Sequence, residues 1–270
     1  MTIRDIVQTL DRFAPFALAL GWDNCGLQVG DWDAPVTRVL VALDATHAVV
    51  EEAARLGAQL VLTHHPLLFA GARQLTPAHP AYEAIRRGVG VVSLHTNYDL
   101  APRGVNWQLA LALGLEQVEP LPQPQGEEPL PGMMGLLPRP MTPEELAAHS
   151  GQALGLGVRY NPAPGPAVGL IRRVGVCGGA GADALGAAAA AGCHALLTGE
   201  VKHHQYLEAQ ILGLTLLDAG HYATERVALQ GLADYLGQTA PQLAVTLSGA
   251  YDGQVAGWPP LHNMILPGGS

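Results

Sequence analysis

Two stretches of this chain run through the same order of segments, and that internal repeat limits the fold more than any other feature. In the first, Val39-Leu40-Val41-Ala42-Leu43 is a continuous apolar run. A helical segment to Leu56, a capping Gly57 and a second apolar run, Gln59 to Thr63, follow it. In the second, Val174-Gly175-Val176-Cys177 leads into a Gly178-Gly179-Ala180-Gly181 loop, an Ala-rich helix over 182–191, Gly192 in the role of Gly57, and His194 to Thr198. A third strand follows in each half, at 90–94 after a helix over 82–87, and at 214–217 after a helix over 201–212. Ala219-Gly220-His221 then aligns with His95-Thr96-Asn97. Apolar runs without polar alternation predict strands covered on both faces, and strand–helix–strand order predicts parallel pairing. The expected class is α/β, with pseudo-repeated halves and helices flanking mostly parallel sheets. Ligands of such sheets sit beyond the carboxyl ends of the strands, where both halves place their polar residues.

The remaining segments are less regular. Ile3, Ile6, Val7, Leu10 and Phe13 have helical spacing, so 3–14 opens the chain as an amphipathic helix. A Gly/Asp/Asn-rich turn spans Gly21 to Gly30, and a helix is expected over 105–113. Residues 116–132 are rich in Pro, Gln and Glu and read as a linker. A strand over 133–137 and a helix from Thr142-Pro143-Glu144-Glu145 to Leu154 follow, the latter started by an N-cap, Pro at the first turn and two acids. A second Pro/Gly stretch covers 161–166.

Composition excludes several classes. The 270 residues carry 14 basic and 23 acidic side chains for a formal net charge of -9, with no basic run, so direct nucleic-acid binding is not expected. Only 14% of residues are charged, and the rather apolar surface this leaves mildly favours an oligomer. Cys25, Cys177 and Cys193 form no C-x-x-C, which argues against a disulfide scaffold or a thiolate zinc site and for a reducing interior. The N-terminus has no signal-peptide core, and the most apolar helix, Ala184 to Leu197, is too short to span a bilayer. A soluble cytoplasmic protein with no membrane association is expected.

Three polar clusters carry the chemistry. His64-His65 ends a buried strand. Both side chains reach one site only if the chain turns sharply, as Pro66 favours. His95-Thr96-Asn97-Tyr98-Asp99 ends another strand with an imidazole, an amide and a carboxylate. His221 and Glu225 lie four residues apart, facing the same way if helical. Each cluster alone is also what a polar strand end or a surface pair looks like. The repeat brings all three to equivalent sheet ends, so coincidence explains the set poorly. Imidazoles and carboxylates without thiolate suit Zn, Fe, Mn, Ni or Co. Five donors, His64, His65, Asp99, His221 and Glu225, suit two divalent ions per subunit that share a carboxylate, from Asp99 or Glu225, and acidify a water between them. Glu200 and His95 are the candidates for moving protons, with Glu200 also placed to orient a ligand histidine. Asn97 and the Gly-rich turns are candidates for holding substrate, and the 178–181 loop for offering N–H groups to an anion. His203 and His204 read as surface residues, His47 and His79 as solvated. None of Ser93, Ser150, Ser248 and Ser270 sits in a Gly-x-Ser-x-Gly, so a serine triad has no support.

Gly21-Trp22-Asp23-Asn24-Cys25-Gly26-Leu27, Thr63-His64-His65-Pro66, His95-Thr96-Asn97-Tyr98-Asp99, Leu197-Thr198-Gly199-Glu200 and Gly220-His221-Tyr222-Ala223-Thr224-Glu225 together resemble the family of GTP cyclohydrolase 1 type 2 homologues, also called NIF-three-like. The likeness covers residues 1 to about 236. It implies a dinuclear metal centre on the positions occupied here by His64, His65, Asp99, His221 and Glu225, the same set the residues give alone. It further implies two interlocked α/β domains and a ring-shaped homohexamer. With the linker as boundary, residues 1–120 plus 220–270 are expected as a discontinuous first domain and 121–219 as the second. Leu243 to Ser270, with Trp258-Pro259-Pro260, matches no motif and reads as a variable tail. The resulting expectation is a dinuclear metal-dependent hydrolase, GTP cyclohydrolase-like, acting on a small-molecule nucleotide or related heterocycle. A non-enzymatic metal-handling or metal-insertion protein, or a regulatory scaffold, is the alternative.

Overall fold

The apolar runs at 39–42, 60–63, 90–93, 195–198 and 215–217 form strands with neither face left to water. The computed structural model describes residues 1–122, 129–163 and 169–250. Parts of both Pro-rich stretches (123–128 and 164–168) and of the C-terminal stretch, including Trp258-Pro259-Pro260, lie outside the described residues. The described residues divide into two compact units, 1–104 with 228–250, and 105–227.

The first unit begins with α1 (Ile3–Asp11), started by a reciprocal capping box between Thr2 and Asp5. Then come β1 (Gly26–Val29), β2 (Arg38–Ala42), α2 (His47–Leu56), β3 (Leu60–Thr63), α3 (Pro80–Arg87), β4 (Gly90–Ser93) and the single turn α4 (Thr96–Asp99). Gly57 and Gly88 end α2 and α3 in the left-handed conformation that glycine adopts without steric cost. The second unit contains α5 (Val105–Ala112), β5 (Glu116–Pro120), β6 (Met133–Met141), α6 (Pro143–Leu154), β7 (Arg159–Asn161), β8 (Ile171–Val176), α7 (Leu185–Ala190), β9 (Ala195–Thr198), α8 (His203–Ile211) and β10 (Thr215–Asp218). Helix α9 (His221–Thr239) starts in the second unit and ends in the first, which β11 (Ala244–Leu247) completes.

Each unit holds one sheet. The first has strand order β1-β4-β3-β2-β11, parallel except for β1. The second has order β5-β6-β8-β9-β10-β7, with β8, β9 and β10 parallel and antiparallel strands on either side of them. This is a mixed α/β fold, two sheets flanked by helices. Strands β3, β4, β9 and β10 are buried at every residue. Val49, Val50 and Ala53 of α2 with Ala81 and Ala84 of α3 cover one face of the first sheet. Leu185 and Ala188 of α7 with Ala209 of α8 cover one face of the second, and Leu146 and Ala147 of α6 with Leu109 of α5 cover the other. Burying a side chain the size of Leu60 or Leu62 contributes about 1.5–3 kcal/mol, so these faces dominate the stability of each unit.

Four sequence expectations are corrected. Part of the 116–132 linker is strand β5, paired antiparallel with β6. The Gly21–Gly30 turn contains strand β1, and the tail supplies β11, parallel to β2 at the sheet edge. The alignment of the halves also shifts by one residue at the third strand. Thr63 pairs with Ser93 and Thr198 with Asp218, so Gly220 rather than Ala219 is the counterpart of His95.

Candidate metal centre

The ladder register places the first group of donors. Ala42, Thr63 and Ser93 are the last paired residues of β2, β3 and β4. Two residues beyond them stand Asp44, His65 and His95, in a row across the carboxyl end of the sheet. The adjacent histidines turn to one side because the chain folds back at once after β3. The Thr63 hydroxyl donates to the His65 carbonyl at 2.8 Å, the Ser93 hydroxyl to the same oxygen at 3.3 Å, and the His65 N–H donates to Leu43 O at 3.0 Å.

All three imidazoles are held the same way. His64 Nδ1 donates to the Leu94 carbonyl at 2.9 Å, His65 Nδ1 to Asp44 Oδ1 at 2.8 Å, and His95 Nδ1 to Asp23 Oδ1 at 2.9 Å. An oxygen acceptor on Nδ1 requires the proton there and leaves Nε2 as the ring's lone-pair atom, the arrangement found behind metal-ligating histidines. The rings stand 5.0, 5.2 and 5.6 Å apart, and one nitrogen from each lies within 4.8 Å of the others. Asp99, on α4, brings Oδ1 to 3.7 Å from His64 Nε2. Three imidazole nitrogens at this spacing form a set able to hold a divalent cation, with the Asp99 carboxylate beside the His64 ring.

Electrostatics support a neutral imidazole at His95. Burial and the neighbouring His64 push the His95 pKa down, against the pull of its Asp23 partner. Burial alone would raise the Asp23 carboxyl, but the Thr96 hydroxyl, His95, the Cys25 thiol and the Thr96 N–H all donate to it and hold it well below the carboxylate range. Burial, and then this contact with Asp23, raises the Cys25 thiol to about 11.

The second unit builds its group from helix α9. His221 and Glu225 lie one turn apart, with His221 Nε2 at 3.1 Å from Glu225 Oε2. Glu200, just after β9, brings Oε2 to 3.3 Å from His221 Nδ1. Its backbone is left-handed, φ 53°, a conformation that costs a non-glycine residue roughly 1–2 kcal/mol. The buried Glu225 carboxylate packs on Gly179, where an added Cβ would sit 2.3 Å from Oε1.

Some expected site residues go elsewhere. Asn97 is fully buried and donates to Ala14 O at 2.8 Å, so it fastens the end of the first helical segment and is closed to substrate. The N–H groups of Gly178, Gly179 and Gly181 are taken by Asn106 Oδ1, Thr224 Oγ1 and Thr198 Oγ1, so three of the four N–H groups in this loop are already engaged within the protein. His203 and His204 are exposed on α8. His79 is half-buried and caps α3, accepting from the Ala81 N–H at 3.1 Å. Sequence reasoning missed Asp44 and Asp23 as histidine anchors. For Asp44 the signal was available, since it stands two residues past its strand as His65 does.

The sequence and the fold recur in known proteins. The model of the family Duf34/NIF3 (NGG1p interacting factor 3) matches residues 1–251. A Clostridium perfringens protein named GTP cyclohydrolase 1 type 2 homolog is 32% identical over 231 residues, covering 83% of this chain and 87% of its own. A Nostoc protein of the same name is 37% identical over 241 residues, covering 87% and 91%. The crystal structure of Staphylococcus aureus protein SA1388 superposes with a TM-score of 0.86 at 28% identity, covering 94% of this chain and 98% of that one. By sequence and by fold, the chain belongs to the Duf34/NIF3 family.

Proposed function

We propose that the protein is a dinuclear divalent-metal-dependent hydrolase acting on a nucleotide or related heterocycle, with His64, His65, Asp99, His221 and Glu225 as the metal ligands. The observation that carries this reading is the common anchoring of His64, His65 and His95 through Nδ1. Orienting three rings by three separate acceptors is costly in side-chain freedom and has its use when the opposite nitrogens must be presented, those of His64 and His65 to a cation and that of His95 to a proton. The mixed nitrogen and oxygen donors suit Zn, Fe, Mn, Ni or Co. Such ions supply Lewis acidity and make water a nucleophile near neutral pH.

The chain's own groups divide the rest of the work. Asp44 and Leu94 O hold His65 and His64 in the tautomer that presents Nε2. His95, kept neutral, accepts a proton at Nε2 while Asp23 steadies Nδ1. Glu200 orients His221 and, with its side chain 60% exposed, exchanges protons with solvent. The family relatives named GTP cyclohydrolase 1 type 2 homolog support a purine nucleotide as the first substrate to try.

Elemental analysis of the purified chain beside Asp99→Ala and Glu225→Ala tests the ligands: about two ions per chain, lost in the variants, is expected. GTP and other nucleotides are then offered to protein stripped and refilled with each of the five metals. Absence of turnover with every metal ends the hydrolase reading.

A further inference from the structure

Beside the imidazole cluster of the first unit stand two large aromatic side chains that the proposed chemistry leaves without a task. Trp22 is 52% exposed and Phe69 58%. Their rings lie 5.8 Å apart at 51°, and each meets the His95 ring nearly edge-on, at 6.2 and 6.1 Å. Leaving this much adjacent aromatic surface in water is unfavourable, and such patches mark binding sites. Trp32 shows the contrast, since the Arg4 guanidinium covers it at 5.6 Å from the ring centroid.

The two rings are held in place by an amide clasp. Asn24 Nδ2 donates to Leu68 O at 2.6 Å and to Gln28 Oε1 at 3.1 Å. Gln28 Oε1 accepts from the Leu68 N–H at 3.2 Å, and Gln28 Nε2 donates back to Asn24 O at 2.6 Å. These bonds tie the turn that carries Trp22 to the loop that carries Phe69. The neighbouring Asp23 anchors His95 from the same turn. One short segment, Trp22-Asp23-Asn24, thus sets an exposed ring, a histidine anchor and the clasp.

We propose that Trp22 and Phe69 form a stacking lip for a planar heteroaromatic ring of the nucleobase class, setting that ring beside His95. This deepens the hydrolase reading and rests on it for the choice of ligand. Preorganised aromatic faces bind bases by stacking whatever their hydrogen-bonding edge, and the lip stands next to the group assigned to proton transfer. An aliphatic or purely phosphorylated ligand would gain little from either ring.

Equilibrium dialysis of the full chain with guanosine 5′-monophosphate and with ribose 5-phosphate tests this, on metal-loaded protein and again after chelator treatment. Trp22→Ala and Phe69→Ala are each expected to weaken nucleotide binding by about tenfold, with Trp22→Phe within about threefold of wild type and ribose 5-phosphate binding unchanged by any of them. Melting curves and sedimentation velocity accompany each variant. Equal nucleotide affinity in wild type and both alanine variants overturns the proposal, as does a wild type that prefers ribose 5-phosphate or binds neither probe. A loss of binding that coincides with a changed assembly state also overturns it, because the lip is then a subunit contact. Failure of the metal reading shows separately, as a chain without bound ions in elemental analysis.

Discussion

The two units start from the same strand frame and place their donors by different means. In the first, residues just past β3 and β4 carry the clustered imidazoles, His64, His65 and His95. In the second, the positions equivalent to His64 and His65 are Gly199 and Glu200, and that equivalent to Asp44 is Gly179. The imidazole and carboxylate come instead from the first turn of α9. A helix beginning so close to the strand ends needs room. A Cβ on Gly199 would meet Gly220 C and His221 N at 2.6 Å, and one on Gly179 would meet Glu225 Oε1 at 2.3 Å. A duplicated frame can therefore carry donors on its strand ends or receive them from a helix, and glycine marks the second solution.

Substitution of those glycines gives the largest expected effect. Gly179→Ala adds a clash with a buried carboxylate to a left-handed backbone at φ 64°, and should lower stability by more than about 2 kcal/mol and release metal. Gly57→Ala, also left-handed but with open space around the added carbon, should cost roughly 1–2 kcal/mol and leave metal content unchanged. Urea denaturation with elemental analysis reads both. A Gly179→Ala chain that keeps its metal as well as Gly57→Ala does would break the comparison.

Next in size are the histidine anchors. Asp44→Ala should weaken metal binding by about 10–100-fold, the usual consequence of removing the partner behind a ligand histidine. Glu200→Gln should do less, because Glu200 is 3.3 Å from His221 and mostly in water, whereas Asp44 is 2.8 Å from His65. Competition with a chromogenic chelator ranks the two, and the reverse order would mean that the second unit's ligands are the more tightly oriented.

A smaller effect concerns acid stability. The folded-state pKa of Asp23 is depressed, so its contribution is present above the unfolded value of about 3.9 and is lost as pH falls through the folded one. Asp23→Asn should lower stability near neutrality by about 1–3 kcal/mol and shrink the difference from wild type below about pH 4. Denaturation midpoints measured from roughly pH 3 to 7, which spans the titration of the unfolded carboxyl, decide it. The smallest expected signal is chemical. Cys25 and Cys193, both raised to about 11 chiefly by burial, should react with iodoacetamide near neutral pH about a hundredfold more slowly than a free thiol. Mass spectrometry of the labelled peptides would show rapid modification if either thiol were ionised.

The parts of the fold legible from residue order are those where one pattern has one physical solution. The apolar runs of β2, β3, β4, β8, β9 and β10 are legible because a strand buried on both faces leaves no alternation to misread. The edge strands are not. Glu116-Gln-Val-Glu-Pro is exposed at four of its five residues, and Ala244 to Leu247 is almost as open, so neither carries the hydrophobic signal of a strand. They form because a paired neighbour offers its backbone, information absent from the segment itself. Asn97 misleads for the opposite reason: an amide beside a histidine at a strand end looks functional, but packing turns it inward to Ala14 O.

Sequence by itself determined the repeat, the parallel strands and the concentration of imidazoles and carboxylates at their carboxyl ends, because side-chain periodicity and chain direction follow from local order. Tertiary structure alone decided that His64, His65 and His95 share one mode of anchoring. It also decided that Asp44 and Asp23 supply two of the anchors, and that Gly179 is bare to admit Glu225. The physical reason is that these relations are between atoms distant in sequence, set by ladder register and close packing. A residue's own neighbours along the chain do not encode them.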